Sequence, residues 1–170
     1  MSPTDLRHEL SQCLARLWRY AMVLSHKRDV ADDLVQSTCV RALERSAHVV
    51  DSAGVDRWLF SILHSIWVNE LRAQHVRQGQ GFVDASELDT PADAFSFEDK
   101  HWHTQVMQRV KRLPEAQRNA VFLVYVEGFT YQEAAMTLSV PVGTIMSRLA
   151  SARLTLAQHA GKSSRQGEKK

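Results

Sequence analysis

Residues 139–156 read SVPVGTIMSRLASARLTL, with hydroxyls and arginines recurring at helical spacing. Wound as a helix from Gly143 at about 100° per residue, the stretch puts Ile145, Leu149, Ala152 and Leu156 in one narrow stripe that must be buried. Thr144, Ser147 and Ser151 fall opposite, with Arg148 on the flank. Short hydroxyls donate and accept hydrogen bonds, and a guanidinium presents a fork of donors. Such groups reach base edges and phosphates when a helix lies in a DNA groove. A face exposed merely to water usually mixes Glu with Lys, yet residues 134–161 contain no Asp or Glu. The pattern predicts contact with nucleic acid. Catalytic chemistry finds less support. His101 and His103 flank Trp102, but on a helix their imidazoles stand about 200° apart, which disfavours a shared metal. No nucleophile arrangement stands nearby, and no G-x-x-x-x-G-K-[ST] loop is present to hold a nucleoside triphosphate. No enzyme, metal or cofactor is expected.

Two further faces carry polar groups at helical spacing. On a helix over about 30–47, Asp32, Asp33, Gln36 and Val40 share one side, while Ala31, Leu34, Val35, Thr38 and Ala42 share the other. Acid, amide and one exposed valine suit docking of a basic helical partner. The acids also sit in the first turn, where they complement the helix dipole. On a helix over about 55–76, Leu59, Leu63, Ile66 and Trp67 form an apolar arc. Ser61, Ser65, Asn69 and Arg72 form a polar stripe flanked by Arg57, Trp58 and His64, with no carboxylate on it. Cations, amides and an edge aromatic suit single-stranded DNA, where each stacked base contributes about 1–3 kcal/mol. Tryptophans are more often core than platforms, and Trp67 is expected in the core. Glu70 projects toward the apolar arc without an evident reason.

Helical periodicity persists along the chain and strand-like alternation is missing, so an all-α fold is expected. The first helix runs roughly from Asp5 to Leu24 on Leu6, Leu10, Leu14, Leu17 and Ala21, and Asp29 can cap the second. Gln78 to Phe95 is rich in Gly, Pro, Ser and Asp and reads as a linker. Ser96 and Asp99 form a possible capping box for a helix to Arg112, and Pro114 suits the first position of the next helix, which should end near Gly128. Thr130 to Glu133 reads TYQE, a second capping box, opening a short helix through Leu138 with Ala134, Ala135 and Leu138 inward. Short helix, tight turn and longer amphipathic helix make a helix-turn-helix pattern.

The 170 residues carry a net charge of +2, and 44% are apolar, enough for one large or two small cores. The charge is unevenly divided: residues 1–77 carry +1, residues 78–99 carry −6 and residues 100–170 carry +7. Two modules on an acidic connector follow, over 1–77, 78–95 and 96–160, with 161–170 expected to be a disordered tail and the basic module matching a nucleic-acid binder. Two cysteines without C-x-x-C, Cys13 and Cys39, read as small core residues in a reducing compartment. No stretch of about 18 apolar residues could span a bilayer and no secretion signal opens the chain, so a cytoplasmic location is expected.

Three strings, DVADDLVQSTCVRAL (29–43), WLFSILHSIWVNELR (58–72) and LPEAQRNAVFLVYVEGFTYQEAAMTLSVPVGTIMSRLASARLTL (113–156), resemble the extracytoplasmic-function sigma factors in order and spacing. The resemblance covers most of the chain. It implies two helical domains, regions 2 and 4, that bind core RNA polymerase and read the minus-ten and minus-thirty-five promoter boxes. It assigns Asp32, Asp33, Gln36 and Val40 to the β′ clamp coiled coil, with the β flap as a further polymerase contact. It implies that Arg57, Trp58, Ser61, His64, Ser65, Asn69 and Arg72 face the melted minus-ten strand, and that residues 47–56 help hold a flipped base. Thr144, Ser147, Arg148 and Ser151 would read the upstream duplex, while Arg153 and the helix start at Tyr131 and Gln132 would hold phosphates. The chain departs from the family pattern at Ser65 and Asn69, where Asn and Asp are common. An anti-sigma factor is an expected partner. The competing expectation is a helix-turn-helix regulator that never joins polymerase, which leaves the first half unexplained.

Overall fold

The computed structural model describes residues 3–48, 54–79 and 105–164, and among them every regular element is helical. The all-α expectation holds. Helix α1 spans Pro3–Ser25, and Leu6, Leu10, Cys13, Leu17, Tyr20 and Leu24, three and four apart, are all buried along one stripe. Leu14, expected in that stripe, is 40% exposed, because the stripe passes through Cys13, one residue and about 100° away. His26 ends the helix in the left-handed region (φ 58°), its N–H donating to the Met22 carbonyl at 3.0 Å. The Ser25 hydroxyl donates to the Ala21 carbonyl at 2.8 Å.

Helix α2 spans Arg28–Glu44, followed by a 3₁₀ turn over Ser46–His48. Its cap position is Lys27, with no side-chain capping bond, so Asp29 is not the cap; it lies inside the first turn and acts through its charge. Ala31, Leu34, Val35, Thr38 and Ala42 are buried, the side expected from the projection. Cys39 is only half-buried, unlike Cys13. Helix α3 spans Val55–Arg77 after Gly54, whose φ of 84° favours glycine. Leu59, Leu63 and Trp67 are buried as expected, joined by Phe60 and Ile62, whereas Ile66 is half-buried and Glu70 is exposed. Tyr20 of α1 packs on Phe60 with ring centroids 5.4 Å apart, and its hydroxyl lies 3.1 Å from His64 Nδ1.

In the second half, α4 spans Gln105–Lys111 and α5 spans Glu115–Val121. Pro114 sits one position outside α5 rather than first within it; its ψ of 145° is extended. Arg118, 2% exposed, donates to the Leu113 carbonyl at 2.9 Å and the Lys111 carbonyl at 3.2 Å, tying α5 to the end of α4. A π-helical turn over Phe122–Val126 continues α5, and Gly128 (φ 72°) ends it, with the Phe129 N–H returning six residues to the Leu123 carbonyl at 2.9 Å. Helix α6 spans Tyr131–Leu138 and α7 spans Val142–Ser164.

The chain divides into two compact units, one carrying α1–α3 and the other α4, α5 and α7 with the start of α6. Helix α7 continues four residues into the segment expected as a tail. The Ser96 and Asp99 capping box, His101, His103 and most of the expected linker lie outside the described residues.

Candidate nucleic-acid interface

The turn from α6 into α7 is specified by local bonding. Thr130 and Glu133 make a reciprocal capping box: the Glu133 N–H donates to Thr130 Oγ1 at 3.1 Å, and the Thr130 N–H donates to Glu133 Oε2 at 2.8 Å. At the other end Ser139 adopts a left-handed φ of 54°. Its N–H donates to the Met136 carbonyl at 3.2 Å, and the Val140 N–H to the Ala135 carbonyl at 3.0 Å, a Schellman closure. The Pro141 carbonyl then accepts the Thr144 N–H at 3.0 Å, starting α7. Ala134 and Ala135 are buried, as are Ile145, Leu149 and Ala152 of α7, each at 0% exposure; Leu156 is half-buried.

This seating sets what α7 offers outward. Ser147 and Ser151 are exposed and Thr144 half-buried. The Ser147 hydroxyl donates to the Thr144 carbonyl at 3.0 Å and Thr155 to the Ser151 carbonyl at 3.1 Å, bonds that a base or phosphate can replace by rotation of the side chain. Arg148 is half-buried, and burial pushes its guanidinium below the usual value while leaving it a cation at neutral pH. Arg153 is exposed with Nε 3.3 Å from the Leu149 carbonyl, and Tyr131 and Gln132 are exposed in the first turn of α6.

On α3, Ser65 and Asn69 are exposed, and Arg57, Trp58, Ser61, His64 and Arg72 are half-buried. Asp56, on the opposite side of the helix from the polar stripe, engages the flanking Arg57. Asp56 accepts from Arg57 Nη1 at 2.7 and 2.9 Å and from Arg16 Nη1 of α1 at 3.3 Å, so Arg57 is held in an ion-pair network. Burial alone would raise the Asp56 pKa, but the Arg57 hydrogen bonds and charge, with Arg16, outweigh it and lower the carboxyl. Arg16 also lies over the Phe60 ring at 5.5 Å. Ser61 donates to the Trp58 carbonyl at 2.7 Å. Asp56 could have been suspected from its place beside Arg57; Arg16, 40 positions away, left no local signal.

On α2, Asp32, Asp33 and Gln36 are exposed and Val40 is 57% exposed, one acidic face with an apolar spot. Among the described residues no three His, Cys, Asp or Glu side chains are placed to hold a metal ion, and no helix is long and apolar enough to cross a membrane.

The described geometry coincides with known domain patterns. Residues 103–156 match Sigma-70, region 4, and residues 10–64 match the Sigma2 domain of PhyR. The chain is similar to the ECF RNA polymerase sigma factor EcfG of Rhodopseudomonas palustris, with 32% identity over 160 residues, 92% of this chain and 86% of that protein. It is 30% identical over 152 residues to the ECF RNA polymerase sigma factor SigL of Mycobacterium tuberculosis, 85% of this chain and 84% of that one. The sigma factor RpoE from Bartonella quintana, solved in complex with the anti-sigma factor NepR, superposes with a TM-score of 0.69 at 30% identity, covering 91% of this chain and 95% of that one. These relatives are transcription factors rather than enzymes. With a capped helix-turn-helix seating α7 and a match that runs through both helical units, the chain belongs to the ECF RNA polymerase sigma factors.

Proposed function

We propose that this sigma factor joins core RNA polymerase through the α2 face of Asp32, Asp33, Gln36 and Val40 and directs it to promoters with two DNA-reading helices. Residues of α7, with Thr144, Ser147, Arg148 and Ser151 toward the bases, read the minus-thirty-five duplex; Arg153, Tyr131 and Gln132 hold phosphates. The α3 stripe of Trp58, Ser61, His64, Ser65, Asn69 and Arg72, with Arg57 at its edge, captures the minus-ten strand. Binding energy drives opening: capture of unstacked bases offsets an unpairing cost of a few kcal/mol per step, and the upstream contact keeps the complex in place. The observation that carries this reading is the acid-free outward face of α7 opposite Ile145, Leu149 and Ala152, each at 0% exposure.

Control by an anti-sigma factor is part of the same proposal. It is supported by the similar Bartonella quintana sigma factor, whose structure contains NepR.

Run-off transcription with core polymerase on a genomic fragment library tests the reading, because promoter-specific transcripts require both activities and report both boxes. Arg148→Ala is expected to lower affinity for the upstream box by about 1–3 kcal/mol while leaving polymerase binding intact. Asp33→Ala combined with Gln36→Ala is expected to do the reverse. A chain that fails to associate with core polymerase would overturn the proposal.

A further inference from the structure

Trp18 of α1 lies outside every surface assigned so far, yet it is bonded to the α2 face. Its indole Nε1 donates to Asp32 Oδ1 at 2.8 Å, and the Arg28 guanidinium carbon sits 5.8 Å from the centre of its ring. The ring is half-buried, whereas Arg28 and Asp32 are exposed. A neutral N–H does not cancel the charge of a carboxylate. It occupies one of about four acceptor positions and leaves the others to a partner. What it removes is rotational freedom, which an exposed aspartate would otherwise lose on binding at a cost in affinity. The Arg28 cation over the ring face holds the indole in its turn.

We infer that Trp18 is a positioning residue for polymerase docking: its indole N–H holds the Asp32 carboxylate preset for a cationic group on the partner. The inference rests on the docking role proposed for Asp32. Packing alone would need only the ring; positioning needs the N–H.

The two roles separate in a titration of the fluorescently labelled full chain with purified bacterial core RNA polymerase. Trp18→Phe keeps an aromatic ring and removes the donor. It is expected to bind about threefold to tenfold more weakly, with a thermal midpoint close to wild type, and to cause no further loss when added to Asp32→Ala. Wild-type affinity, or an equal loss on the Asp32→Ala background, overturns the inference. If Trp18→Phe melts early, Asp32→Glu decides. It keeps the charge but displaces the carboxylate from the indole, so a similar loss is expected and unchanged affinity overturns the inference. Should Asp32→Ala itself bind like wild type, the docking role of α2 fails and the inference falls with it. Weak binding by Asp32→Ala with unaffected Trp18→Phe overturns the inference alone.

Discussion

Asp56 holds two arginines from two helices at one point, and its depressed pKa makes that contact pH-dependent. Because the folded carboxyl titrates below its unfolded value of about 3.9, the stabilisation is fully present above that value and is lost as pH falls through the folded pKa. Asp56→Asn is therefore expected to lower unfolding stability by about 1 kcal/mol at pH 7, the scale of partly exposed ion pairs in a small network. The difference should shrink below about pH 4. Urea unfolding at both pH values checks this, and an equal difference at pH 7 and pH 3 would locate the effect in shape rather than charge. The same network limits what Arg57 can give to a DNA strand. A guanidinium already paired with a carboxylate must exchange partners to meet a phosphate, whereas Arg148 has no carboxylate anywhere from 134 to 161 to exchange.

Elements in this chain are bounded by local bonds of unequal quality. Ser139 accepts a left-handed conformation that costs a residue with a Cβ about 1–2 kcal/mol, partly offset by the greater entropy glycine loses on folding. Ser139→Gly is expected to raise stability by about 0.5–1 kcal/mol, and Thr130→Ala, which opens the capping box, to lower it by about 1 kcal/mol. Thermal denaturation of the two variants reads both shifts, and Ser139→Gly melting below wild type would show that the turn is not strained. The capping box was legible in the sequence because T-x-x-E links groups three residues apart, and the buried side of α2 was legible because a 3.6-residue period suffices to predict it. The start of α2 was not: Asp29 looks like a cap, but the chain enters the helix from His26 in a left-handed bend, which moves the boundary to Lys27. The π turn after α5 was equally hidden, since one extra residue per turn leaves Phe122 and Leu123 buried much as a regular helix would. The Arg16–Asp56 and Trp18–Asp32 contacts join residues 40 and 14 apart, distances no local pattern encodes.

At the scale of the whole chain, charge is sorted by segment: residues 78–99 carry −6 and residues 100–170 carry +7. The eighteen residues from Gln78 to Phe95 can extend to at most about 60 Å at roughly 3.3–3.6 Å each, comparable with about 18 base pairs of duplex at roughly 3.4 Å. Boxes more than one helical turn apart are thus within reach of a single chain. We propose that an acidic connector of that length also competes with DNA for the basic module. On that proposal its carboxylates would repel phosphates within a Debye length of about 10 Å at 0.1 M salt, and the covalent tether would raise their effective concentration. Replacing Asp84, Asp89 and Asp93 by Asn and Glu87 by Gln should therefore strengthen duplex binding by the free chain severalfold at low salt, with the gain shrinking as ionic strength rises. Anisotropy of a labelled duplex, titrated with both proteins across a salt series, separates the effect from altered base reading, which would persist at high salt. Unchanged affinity at low salt would show that the connector does not compete, and the acidic run would then need a role on the polymerase rather than on DNA.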